Sequence, residues 1–263
     1  MTSVALGTLV TYLNELLRVG EIPDDPAALN GLQVECRGPI TRIIAAVDAS
    51  QATIDGVLAD NPAAEGSSLI LVHHGLFWDG NQPLTGRRYR RLSALIAGDT
   101  ALYSAHIPLD IHPELGNNIL LARALDLEVD GWFGGYKGIN IGVRGRLRSP
   151  LPRERLVARL AGILGIAISE ITAIPGGTST CHQIGIITGA ASRQLSEAAA
   201  LGLDTFITGE GPHHSYFDSM EGGINLIYGG HYATEKSGVE ALARHLGQRF
   251  GLPWSFHDHP TGF

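Results

Sequence analysis

The sequence predicts an α/β protein made of two similar units with mixed sheets, and three observations carry that expectation. Short apolar runs rich in Ile, Val and Leu alternate with stretches of helical period, which is the pattern of sheets covered by helices. The order of these runs repeats once along the chain. Histidines, eleven in 263 residues, gather where the apolar runs stop.

The elements follow in order. Leu9, Tyr12, Leu13, Leu16 and Leu17 recur at i, i+3, i+4, i+7 and i+8, so the chain begins with an amphipathic helix facing a core. Glu15 inside that pattern and the lack of a basic leader argue against a signal peptide. Strands are expected at 41–49, 67–74, 101–106, 139–147, 182–188, 204–210 and 224–230. Helical periodicity fills 51–61, 88–98, 114–125, 151–164, 192–202 and 234–250. The stretches "RIIAAVDAS", "LILVHHG" and "ALYSAHIPLD" read strand, helix, strand, helix, strand, ending in His-x-x-x-Asp. "QIGIITGAAS", "DTFITGEGPHH" and "NLIYGGHYATE" repeat that order and end in His-x-x-x-Glu. A duplicated unit follows, with its boundary at the Gly-rich "DGWFGGYKG" (130–138): a first unit over 1–129 and a second over 130–263.

Composition excludes several function classes. The net charge is −7, with no basic stripe of the kind nucleic acid requires. The densest basic stretch, "GRRYRRL" (86–92), reads as a solvated helix face. No apolar run approaches the ~18 residues of a membrane span. Cys36 and Cys181 are far apart and fit no CxxC pattern, as expected for reduced thiols in a cytoplasmic protein. Phosphate-binding G-x-x-x-x-G-K-[ST], nucleophile-elbow G-x-S-x-G and zinc-protease H-E-x-x-H motifs are absent.

Four polar clusters mark strand ends, where ligands of α/β sheets gather. They are His73 with His74, His106 with Asp110, Glu210 with His213 and His214, and His231 with Glu235. If the halves pack about a pseudo-dyad, the clusters meet in one cleft. Three histidines and two carboxylates suit a borderline divalent ion such as zinc, iron(II) or manganese. His231 and Glu235, four apart, share a face if both lie on a helix's first turn, where a carboxylate is favoured. Adjacent His73 and His74 point to opposite sides of a regular strand. They are therefore expected to serve one ion each of a pair rather than grip one ion together. A carboxylate bridging ions ~3.5–4 Å apart is the usual two-metal arrangement. Open coordination positions would mark a catalytic rather than a closed structural site. His112, His182, His245, His257 and His259 read as surface or internally satisfied residues.

The stretches "NGLQVE" (30–35), "IIAAVDAS" (43–50), "LILVHHGLFW" (69–78), "YSAHIPLDIH" (103–112), "TGEGPHHSYFD" (208–218) and "GGHYATEKSGVEAL" (229–242) carry a further signal. With them the chain resembles the NIF-three-like dinuclear-metal proteins, the type-two homologs of GTP cyclohydrolase I. The resemblance implies two similar three-layer α/β/α units, without the long central insertion of larger members. It implies two divalent ions per chain, held by His73, His74, Asp110, His231 and a bridging Glu235. His106, Glu210, His213 and His214 would line the same cavity in contact with ligands or substrate. It also implies a homo-hexamer, a trimer of dimers. The function expected is metal-dependent hydrolysis of a nucleotide or another phosphorylated or cyclic small molecule, with His106 or Glu210 moving protons. The rival expectation is a metal-storage, metal-delivery or regulatory scaffold without turnover.

Overall fold

The computed structural model describes residues 2–60 and 66–263. The chain divides into two compact units, Met1–Leu109 with Gly238–His259, and Asp110–Ser237 with Pro260–Phe263.

In the first unit the sheet order is β1-β4-β3-β2-β11, formed by β1 (Gly31–Val34), β2 (Ile40–Asp48), β3 (Ser67–His74), β4 (Thr100–Ser104) and the late strand β11 (Trp254–Phe256). β2, β3, β4 and β11 run parallel, and β1 closes the β4 edge antiparallel. Parallel strands buried on both faces read as continuous apolar runs, and "LILV" inside β3 is buried throughout. Alternation sorts their side chains. Ile44, Ala46, Ile70, Val72 and Leu102 pack with Ile54 and Val57 of α2 (Gln51–Asp60) and Leu95 of α3 (Gly86–Ala97). Tyr103 faces the other way, and its hydroxyl donates to Asn14 Oδ1 of α1 (Leu6–Leu17) at 2.8 Å. Leu9, Leu13 and Leu17 form the buried stripe of α1, each burial worth about 1.5–3 kcal/mol. Position 61, at the end of the helix expected over 51–61, lies outside the described residues.

The second unit has the order β5-β6-β8-β9-β10-β7, from β5 (Leu127–Tyr136), β6 (Ile139–Pro152), β7 (Thr172–Pro175), β8 (Thr180–Ile186), β9 (Thr205–Thr208) and β10 (Asn225–Tyr228). β8, β9 and β10 are parallel, and β7 lies antiparallel on β10. This repeats the plan of the first unit, in which β2, β3 and β4 are parallel and β1 lies antiparallel on β4. The core of one face joins Val143, Ile184, Ile186, Ile207 and Ile227 to Ile119 of α5 (Asn117–Ala124) and to Leu156 and Leu160 of α6 (Arg153–Leu164). The remaining helices are α4 (Ile107–Asp110), α7 (Leu195–Ala200), α8 (Ser215–Gly222), α9 (His231–Thr234) and α10 (Lys236–Phe250).

Two expectations about organisation change. The Gly-rich 130–138 is not a boundary: it forms most of β5 and the turn of a hairpin with β6. Lys137 (φ 46°) and Gly138 (φ 87°) both lie in the left-handed region, as a two-residue hairpin turn that follows strand twist demands. The division at 129/130 gives way to one at 109/110, and 238–259 return to the first unit. Asp110 thereby belongs to the second unit rather than the first.

Candidate metal centre

The carboxyl ends of β3 and β4 bring three imidazoles together in the first unit. His73 and His74 close β3, and His106 follows β4 on the lead-in to α4. One ring nitrogen of each lies within 4.8 Å of one of every other. Ring centroids are 4.8 Å apart for His73–His74, 5.0 Å for His73–His106 and 5.7 Å for His74–His106. The rings of adjacent His73 and His74 thus stand side by side at the strand end. Their Cβ atoms alternate, but at a strand terminus the long rings can swing over the end.

Each ring is held through the same nitrogen. His73, wholly buried, meets the carbonyl of Ala105 with Nδ1 at 2.8 Å. His74 Nδ1 meets Asp48 Oδ1 at 2.8 Å, where register pairs the last residues of β2 and β3. His106 Nδ1 lies 3.0 and 3.1 Å from the oxygens of Asp24. A carbonyl can only accept, so Nδ1 of His73 carries its proton and donates. The ionised carboxylates are acceptors for the other two in the same way.

Asp24 is the anchor of this corner. It also accepts from the Ile107 amide at 3.0 Å and from Asn30 Nδ2 at 2.7 Å, while Asn30 Oδ1 accepts the His106 amide at 2.7 Å. Burial alone would raise the Asp24 carboxyl's pKa, but the bond and charge of His106 and the bond from Asn30 outweigh it and hold it below the usual range. Trp78 packs edge-on against His106, with centroids 4.9 Å apart, and against His74 at 6.0 Å.

The second unit offers a different donor set. Asp110, at the end of α4, is buried and accepts from Asn117 Nδ2 at 2.9 Å and Thr188 Oγ1 at 3.4 Å. Asn118 fastens this corner, donating to the carbonyls of Asp110 and Ile141 and accepting the Thr188 amide. On the turn after β10, His231 Nδ1 meets Glu210 Oε1 at 2.8 Å, and His231 Nε2 lies 3.1 Å from Glu235 Oε2. Glu235 is only 2% exposed. Burial pushes the His231 pKa down, but the bonds and charges of Glu235 and Glu210 prevail and raise it to about 9.

Backbone approach makes room for Glu235. At Gly189 (φ 70°) a Cβ would stand 2.2 Å from Glu235 Oε1 and 3.3 Å from His231 Nε2. The Gly189 carbonyl accepts from the amides of Gly209 and Glu210 and from Thr208 Oγ1, pinning the turn in place.

The predicted residues therefore sort unevenly. His73, His74 and His106 form one group, and His231, Glu210 and Glu235 form a bonded chain. His213 and His214 stand exposed at the start of α8, with His213 edge-on to Phe217 at 5.7 Å. The two HisHis dipeptides are not equivalent: one closes β3, whereas the other lies beyond the loop after β9. Sequence reasoning missed Asp24, Asp48, Asn30 and Trp78 as site residues. A visible signal did exist for three of them, because Asp48 ends "AAVD", Asn30 opens "NGLQVE" and Trp78 closes "VHHGLFW".

The donor chemistry suits a borderline divalent ion. A metal-bound histidine almost always donates its second ring N–H to a carboxylate or backbone carbonyl. All four histidines here place Nδ1 on such an oxygen, and His231 also sets Nε2 3.1 Å from Glu235 Oε2. In the first unit, His73, His74 and His106 form a group whose ring nitrogens stand close enough to hold a metal ion.

The model of the Duf34/NIF3 (NGG1p interacting factor 3) family matches residues 4–260. A "GTP cyclohydrolase 1 type 2 homolog" of Deinococcus radiodurans is 45% identical over 256 residues, covering 97% of this chain and 93% of that protein. Its namesake in Halobacterium salinarum is 40% identical, covering 95% and 96%. Among solved structures, TTHA1606 of Thermus thermophilus superposes with a TM-score of 0.85 at 38% identity, over 99% of this chain and 100% of that one. Protein ybgI, described as of unknown function, gives 0.88 at 33% identity with full coverage of both. The chain belongs to the Duf34/NIF3 family.

Proposed function

We propose that this protein holds two divalent ions per chain, with His73, His74, Asp110, His231 and Glu235 as ligands, and hydrolyses a small nucleotide-like, phosphorylated or cyclic substrate. The observation that carries this reading is the common orientation of the four histidines, each tied through Nδ1 to an oxygen. The buried carboxylates Asp110 and Glu235 support it, since buried charges are paired or coordinate metals. The relatives' cyclohydrolase name is consistent with a heterocyclic or phosphorylated substrate. Bound divalent ions supply Lewis acidity and lower the pKa of a coordinated water.

The chain's own residues do the remaining work. Asp24, Asp48 and Glu210 fix the imidazole orientations. Glu210, with a side chain 43% exposed, exchanges protons with solvent while bonded to His231. His106, fixed by Asp24, handles protons in the first unit. The same reading includes a homo-hexamer built as a trimer of dimers and a cytoplasmic location. Both cysteines are free thiols, and among the described residues no helix is long and apolar enough to cross a membrane.

Elemental analysis of protein purified without chelator tests the metal content. A panel of nucleotides and generic phosphoesters, run on wild type and Glu235→Gln, tests the hydrolysis. Metal that stays at trace level after reconstitution with zinc, iron(II) and manganese defeats the reading. In light scattering, a mass near the 27.9 kDa of one chain defeats the hexamer.

One observation favours a second reading, metal storage or delivery. Both candidates for proton transfer, His106 and Glu210, are already engaged with Asp24 and His231. Full metal loading with no turnover on any substrate would establish that alternative.

A further inference from the structure

Resting on the reading of a metal-binding site at the three histidines, we infer that Trp78 is a stacking platform that selects a planar heterocycle in the ligand. Trp78 stands four residues past His74, in the segment from β3 to α3. Its ring touches two of the three site histidines at interplanar angles of 75° and 80°, yet 38% of the residue is exposed. Tryptophan is highly buried on average. An indole that borders the imidazoles and keeps this much surface in water presents aromatic area where a ligand would enter.

The segment carrying Trp78 is fixed by a buried cation. Arg88 of α3, 6% exposed, reaches back to four of its residues. Its Nη2 donates to a carboxylate oxygen of Asp79 and, at 2.5 Å, to the carbonyl of Gly80. Nη1 donates to the carbonyl of Gln82 at 3.2 Å, and the guanidinium lies 5.3 Å from the ring centre of Phe77. The Gly80 amide closes a turn onto the Phe77 carbonyl at 2.8 Å. Burying a guanidinium is costly unless it is paired and bonded, and these four partners all lie within 77–82. Trp78 sits inside that bracket, so its position is set before any ligand arrives. A platform fixed in advance loses less entropy on binding.

The chemistry names the ligand class. Aromatic faces bind other π-faces with little regard to which base is offered, while a metal-imidazole cluster takes an anionic group. The fitting ligand joins a flat heteroaromatic ring to a short anionic arm. A sugar phosphate without the ring satisfies only half of the site.

The test is calorimetric titration of the metal-reconstituted full chain with guanosine monophosphate, ribose 5-phosphate and inorganic phosphate. Wild type should prefer guanosine monophosphate to ribose 5-phosphate by roughly tenfold or more. Trp78→Ala should lose that preference while ribose 5-phosphate affinity and metal content stay at wild-type values. Trp78→Phe should keep most of it. With Trp132→Phe and Trp254→Phe in the background, guanosine monophosphate should quench the remaining Trp78 emission and ribose 5-phosphate should not. Arg88→Lys should lower the anisotropy of that emission and weaken the preference at unchanged metal content, and Asp79→Asn should act likewise if the Arg88 variant folds poorly. Equal binding of both phosphates by wild type, binding of neither, or a preference that survives Trp78→Ala overturns the inference. Failure of the metal reading shows separately, in elemental analysis, and quenching measured on metal-stripped protein reads the stacking alone.

Discussion

The two units share a strand plan and differ in what they place at the strand ends. In the first, β3 and β4 deliver three imidazoles, with the carboxylates Asp48 and Asp24 behind His74 and His106. In the second, the ends of β9 and β10 deliver one imidazole and the buried carboxylate Glu235, with Glu210 behind His231, while the buried Asp110 enters the unit at the end of α4, after β4. The topology fixes where donors stand, and local substitution decides their charge. A neutral donor set and an anionic one have opposite demands: the first needs its rings oriented, the second needs its charge compensated. Variants in the two units should therefore fail in different ways.

The largest effect should come from removing charge in the second unit. Glu235→Gln is expected to lower the affinity for both ions by more than the roughly 100-fold typical of the strongest outer-partner losses. His73→Ala should empty mainly one. Metal stoichiometry by elemental analysis after dialysis against graded chelator compares them. Equal losses from the two variants would break the asymmetry.

Next in size is the backbone contact at Gly189. An alanine there adds a Cβ 2.2 Å from Glu235 Oε1 at a φ of 70° that side chains rarely adopt. Gly189→Ala should cost about 2–3 kcal/mol in chemical denaturation and displace Glu235, reducing metal uptake. A stability equal to wild type would show that the turn yields freely.

Much of this was legible in the sequence, and the misses have physical reasons. The strand expected at 67–74 is β3 to the residue, because a fully buried parallel strand is an unbroken apolar run. β5 escaped because its glycines look like a linker, although Gly145 on β6 has room only for a hydrogen there, against the Glu128 carbonyl. β1, β7 and β11 are three or four residues long, too short for a period to register. The return of 238–259 to the first unit depends on tertiary contacts that no local pattern encodes. At the site, His73, His74, His106, Asp110, His231 and Glu235 stood out because each follows a strand-like run. Asp24 reaches His106 across 82 positions, and that distance hides it from any spacing rule.

A smaller effect separates the orienting carboxylates. Asp48→Ala should weaken metal binding through His74, and Glu210→Ala through His231, each by about 10–100-fold. The two should not depend on each other if each acts on its own ring, and the double variant measured by the same chelator competition checks additivity. Strong coupling would mean that the two rings do not act as separate donors.

The smallest expected effect is a control at the opposite end of the first unit's sheet. There Ser67, the first residue of β3, donates to Asp99 Oδ2 at 2.6 Å, and the Arg37 amide donates to Asp99 Oδ1 at 2.7 Å. These bonds, that of Ser67 foremost, hold the Asp99 carboxyl below its usual range. A depressed folded pKa contributes stability that is present above the unfolded value of about 3.9 and lost as pH falls through the folded one. Ser67→Ala should therefore cost about 1 kcal/mol at neutral pH, and its deficit relative to wild type should shrink as the pH drops below about 4. Metal content should not change, since the strands' amino ends carry none of the proposed ligands. Urea denaturation across pH 2.5–7, paired with elemental analysis, reads both quantities. A deficit that grows in acid would mean that Asp99 is not the group responsible. A loss of metal would mean that the sheet transmits strain along β3 to His73 and His74, and the separation of stability from ligation at its two ends would fail.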